Sequence, residues 1–136
     1  MLTPDTTAAG ATADEPDAPS LGELLARSAA SLRERTAVQC LAEEEELPAL
    51  SNVRAALVTT EDGVMTCRWA SLAGRMYTLG LDEVERAFLG LVLSIVGVRQ
   101  CHLAAVRHLN ERRLKIVLLA MVRPTGNDRI AIGTRL

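Results

Sequence analysis

Arg113-Leu114-Lys115-Ile116-Val117-Leu118-Leu119-Ala120-Met121-Val122-Arg123 is an apolar run closed at each end by arginine, and the fold turns on whether it is extended or helical. As a helix it places Leu114, Val117, Leu118, Met121 and Val122 on one face. As a strand it places Leu114, Ile116, Leu118, Ala120 and Val122 on one face and Val117, Leu119 and Met121 on the other. A run this apolar fits both periods, so the flanks must decide. Leu109 to Arg113 and Pro124 to Asp128 have the composition of turns. They predict a three-stranded meander of Cys101 to His108, Arg113 to Arg123 and Arg129 to Gly133, the alternative being a helix over Asn110 to Arg123.

Upstream of the meander the period is clearly helical. Asp82 is a candidate N-cap with Glu83 and Glu85 in the first turn, and Val84, Phe88, Leu91, Val92 and Ile95 follow at three- and four-residue spacing. Gly97 closes the segment. Ala87, Leu89 and Leu93 are apolar as well, so this helix is expected to lie between two layers. Before it, Val53 to Thr60 and Val64 to Ala70 are β-rich and separated by Glu61-Asp62-Gly63. An Asp-Gly pair in that position predicts a hairpin, because its turn requires positive φ. Gly74 to Leu79 is a candidate short third strand.

The first helix is expected from Leu21 to Glu44, opened by a Ser20 to Glu23 capping box. Its end carries Glu43-Glu44-Glu45-Glu46 before Pro48, where the helix dipole disfavours anions. These acids are expected to form a solvated helix end, or else an acidic patch for a basic partner such as the second half of the same chain. Residues 1–19 are acidic, contain Pro4, Pro16 and Pro19, and have no apolar period; they are expected to be a disordered tail before a single domain over 20–136.

The outcome is an α+β domain, two main helices on an antiparallel sheet, in the order helix, hairpin with an optional third strand, helix, meander. The alternative is a mostly helical C-terminal half with a helix-turn-helix-like element. In this element order and the Asp62-Gly63 hairpin the chain resembles the roadblock domains and, more distantly, GAF or PAS modules. That fold-level resemblance implies a homodimeric scaffold that regulates GTPases.

Composition excludes several classes. Aromatics are 2% of the chain, too few for base-stacking nucleic-acid binders. The longest apolar stretch, Ala87 to Val98, is well short of the ~20 residues a bilayer span needs, so no membrane partner is expected. Cys40, Cys67 and Cys101 are odd in number and lack paired spacing, as in a cytoplasmic protein. Residues 1–62 carry twelve acids and four arginines, whereas 63–136 carry eleven bases and five acids. Either the halves neutralise each other or the basic half faces an anion.

No segment carries a recognisable chemistry. Cys101, His102 and His108 have too few companions for a metal site, the glycines form no phosphate loop, and neither a cofactor nor a catalytic residue is expected. The preferred expectation is therefore a cytoplasmic, non-enzymatic regulatory or scaffolding protein working through protein–protein contacts, as a homodimer. The alternative is a DNA-binding regulator. Gly97 to Leu109 resembles the turn and second helix of a helix-turn-helix, with Arg99, Gln100, His102, Arg107 and Arg112 as candidate nucleic-acid contacts.

Overall fold

A computed structural model of the chain describes residues 20–126 and 129–133. The helices are α1 (Leu21–Ser28), α2 (Leu32–Glu44), α3 (Glu46–Ala49), α4 (Ser51–Leu57), α5 (Trp69–Arg75), α6 (Glu83–Val96) and α7 (Glu111–Val122). Between α4 and α5 lie β1 (Val58–Glu61) and β2 (Val64–Cys67), and 3₁₀ turns occupy Met76–Thr78, Leu103–His108 and Arg123–Thr125. The molecule is thus mostly helical, with one small antiparallel sheet. The tail expected over residues 1–19 lies outside the described residues. No helix among them is long and apolar enough to cross a membrane.

The apolar run is helical, and the meander is not formed. In α7 the buried residues are Arg113, Ile116, Val117 and Ala120, spaced three, four and seven apart as one helical face requires. This is not the face that apolar periodicity alone selects: Met121 is 50% exposed, while the charged Arg113 points inward. Asn110 accepts a hydrogen bond from the Arg113 amide at 2.8 Å, so the segment expected to turn between strands is instead an N-cap. The other two meander segments also differ. Cys101 to His108 forms a loop and a 3₁₀ turn, and Arg129 to Gly133 is irregular. With only two strands among the described residues, the strand order on which the roadblock resemblance rested is absent.

Three further expectations fail. The first helix is broken at Ala29-Ala30 because Ser31 caps a second start, accepting from the Glu34 amide at 3.1 Å. Val53 to Leu57 is helical: Val53, Ala56 and Leu57 are buried at helical spacing, and burial of one face outweighs the β preference of valine. Gly74 to Leu79 continues α5 into a 3₁₀ turn where a third strand was expected.

Other elements form where expected. The hairpin pairs Thr60 with Met65 and Glu61 with Val64, and Asp62 and Gly63 have φ of 53° and 79°, the double positive φ of a tight hairpin turn. Ser20 and Glu23 form their capping box. Asp82 and Glu85 form another at the start of α6, with bonds of 2.8 and 2.9 Å, and Gly97 ends that helix at φ 96°.

The core is organised on α2, which packs against α1, α6 and α7. Ala37, Val38, Cys40 and Leu41 from α2 meet Phe88, Leu89, Val92 and Leu93 from α6 and Ile116 and Val117 from α7 in one cluster. Burying each large aliphatic side chain contributes roughly 1.5–3 kcal/mol. Gly22 allows α1 to lie close on α2, since a β-carbon there would sit 2.9 Å from that of Ala42.

Candidate functional site

Part of the charge asymmetry between the two halves is resolved inside the fold. Glu44 is fully buried, and its carboxylate is saturated. Oε1 accepts from the Leu47 amide at 2.7 Å, and Oε2 accepts from Arg113 Nε and Nη2 at 3.0 and 2.8 Å. Arg113 Nη2 also meets Glu46 Oε1 at 2.8 Å. Arg112 donates to the Glu44 carbonyl at 2.9 Å, and Arg123 donates to Glu43 Oε2 at 3.0 Å. The acidic run is therefore only in part a solvated helix end, with Glu45 and Glu46 exposed and Glu44 buried. It receives the arginines at the two ends of the apolar run, and Glu45, at φ 73°, makes the turn that aims its neighbours at them.

Two of the remaining arginines meet elsewhere. Tyr77, in the 3₁₀ turn after α5, is 69% exposed, and the guanidinium carbons of Arg86 and Arg99 lie 5.8 and 5.4 Å from its ring centroid, within cation–π range. Arg99 Nη2 also donates to the Tyr77 hydroxyl at 3.2 Å, and Arg86 Nη1 donates to the Leu81 carbonyl at 2.5 Å. Neither guanidinium has a carboxylate partner among the described residues.

These side chains line a cleft of about 360 Å³ that also takes in Glu83, Gln100, Cys101, His102 and His108. Gly90 is what lets the chain after α6 fold back to form it. A β-carbon on Gly90 would stand 3.2 Å from Cys101 Sγ, so the absence of a side chain seats the Cys101 loop on the helix. His108 Nδ1 lies 3.5 Å from Glu83 Oε1 and closes one side.

Of the residues expected to contact nucleic acid, Arg99, Gln100 and His102 are brought together in this cleft. Arg107 is exposed outside it, and Arg112 is turned into the acidic cluster. The supposed recognition helix is the six-residue 3₁₀ turn Leu103–His108, in place of the α-helix that a helix-turn-helix lays in the major groove. Two members of the site escape a reading of the sequence. Tyr77 looked like part of a strand, and Arg86 like an ordinary polar position on α6. The available signal was that Tyr77 is the only tyrosine, just upstream of the helix that carries Arg86.

Burial pushes the Cys40 and Cys67 thiols up to about 12, with nearby Glu43 and Glu34 adding to the effect. Burial also raises the Cys101 thiol, against an opposing pull from Arg99. All three stay protonated at neutral pH and are poor nucleophiles. Among the described residues no three His, Cys, Asp or Glu side chains are placed to hold a metal ion. A second cleft of about 310 Å³ between α1, α2 and α4 is apolar, lined by Leu21, Leu25, Val38, Leu41, Leu57 and Val58, with exposed Glu45 and Arg54 beside them. No family model, curated protein or solved structure matches the chain.

Proposed function

We propose that the protein is a cytoplasmic, non-enzymatic regulatory or scaffolding protein that works through protein–protein contacts, as a homodimer. The observation that carries this reading is the Tyr77 patch. An aromatic side chain 69% exposed and held by two arginines is costly to leave in water and has the composition that dominates binding energy at protein interfaces, where Tyr and Arg are enriched. The patch is also preorganised, since the ring and both guanidiniums already hold one another in place. Exposed Leu103, at 65%, lies one residue beyond the cleft-lining His102.

The homodimer is a separate part of the proposal, supported by apolar side chains outside the cleft lining: Leu32 and Met121 are 51% and 50% exposed. A self-complementary contact would cover them twice. Light scattering coupled to size exclusion tests it. The expected result is a dimer at micromolar concentration that persists in Tyr77→Ala and dissociates in Leu32→Glu or Met121→Glu. A monomer throughout that range removes the homodimer from the proposal.

A further inference from the structure

Resting on the protein-contact reading above, we infer that the Tyr77 cleft recognises an acidic peptide segment of a partner protein, its carboxylates docking on Arg86 and Arg99. Arg112, Arg113 and Arg123 are each satisfied by Glu43, Glu44 or Glu46. Arg86 and Arg99, like several other arginines, have no such acid among the described residues, but these two are held near the same ring, where two cations repel each other and an anion near both relieves the repulsion.

Their geometry suits a carboxylate. Each guanidinium has five N–H donors in a planar fork, and the one side-chain hydrogen bond found for each goes to a neutral oxygen, the Tyr77 hydroxyl for Arg99 and the Leu81 carbonyl for Arg86. The ring contact and one hydrogen bond restrain each fork, and a planar fork of this kind suits bidentate capture of a carboxylate. The cleft, about 360 Å³, lies in the range of ligand-sized clefts, and Gln100 and His102 add hydrogen-bonding groups along its wall.

A peptide fits better than a nucleic acid. The start of α6 carries Asp82 as its N-cap and Glu83 and Glu85 in its first turn, and Glu83 lines the cleft itself. A continuous phosphate backbone would have to run past these like charges, whereas a short peptide can place one or two carboxylates on the guanidiniums and leave the acidic side untouched.

The test is fluorescence anisotropy of a labelled hexaglutamate peptide titrated with the full chain, with hexaglutamine and a labelled DNA duplex as the other probes. The expected result is saturable micromolar binding of hexaglutamate alone, weakened about tenfold or more in Arg86→Gln and in Arg99→Gln and unchanged in Arg107→Gln, an exposed arginine outside the cleft. Circular dichroism on each variant separates loss of contact from loss of fold, and Tyr77→Phe, which keeps the ring, retains binding. Three results overturn the inference: no hexaglutamate binding by the wild type, equal weakening in Arg107→Gln, or duplex binding that is lost in the same two variants. A dimer that ignores hexaglutamate overturns this inference alone, whereas a monomer that binds duplex also removes the protein-contact reading.

Discussion

Arg113 is the residue at which the two halves of the chain meet. Its guanidinium is buried on the core side of α7 and holds the Oε2 atom of Glu44, 69 positions earlier. Such a pair contributes little beyond what an apolar pair of similar size would, yet removing one member strands the other without solvent. Arg113→Met should therefore lower stability by about 3–5 kcal/mol, read as a shift in the urea midpoint, and the double variant Glu44→Gln/Arg113→Met should recover part of that loss. Glutamine is the right partner change because its Oε1 can still accept from the Leu47 amide. A single variant within about 0.5 kcal/mol of wild type, the range of ordinary surface substitutions, would show the pair to be solvated. At this scale the sequence was half legible. The acid run and the arginine-capped run stood out as opposites, but which arginine turns inward depends on how α7 is rotated against α2. Nothing local in the sequence expresses that rotation. The same holds for Tyr77 and Arg86, whose meeting depends on how the turn after α5 sits beside α6.

At the level of elements, several ends and the interior of α6 were legible, and other interiors were not. Ser20 with Glu23, Asp82 with Glu85, and Asp62-Gly63 each act over three or four residues through one or two hydrogen bonds or a steric rule, so their outcome survives any tertiary context. The identity of Val53 to Leu57 and of the run over 113–123 was set instead by which face the remaining helices would cover. A uniformly apolar segment satisfies either period. Gly97 shows how demanding the local rules are. Its φ of 96° is hostile to a side chain, and a β-carbon there would meet the Arg33 guanidinium at 3.2 Å. That guanidinium itself donates from Nε to the Ile95 carbonyl at 3.0 Å, at the negative end of α6. Gly97→Ala should cost about 1–2 kcal/mol, seen as a lower thermal midpoint by circular dichroism. Gly133→Ala, with open space around it, should stay within about 0.5 kcal/mol.

For the whole molecule, the formal net charge of −2 conceals a division of labour. Some opposite charges from the two halves are cancelled in the cluster around Glu44, and two of the arginines left without an acid among the described residues, Arg86 and Arg99, meet beside one exposed aromatic ring. Charge layout along the sequence announced the cancellation but not the remainder, since the remainder is defined only by subtraction once the fold is known. The hairpin has a further consequence. Its tip, Asp62-Gly63, is exposed and lies between the acids around Glu44 and the arginines that receive them. Severing the backbone there would leave the first fragment with α1 to α4 and β1, and the second with β2 and α5 to α7. Each would hold one strand of the ladder and one side of the ion pair, and each would expose core surface that only the other can cover. Residues 1–62 and 63–136, expressed together from separate reading frames, should copurify as a folded complex and fail to fold when expressed apart, as circular dichroism would report. The chain is in this sense already two complementary pieces, joined by a turn that serves as a tether.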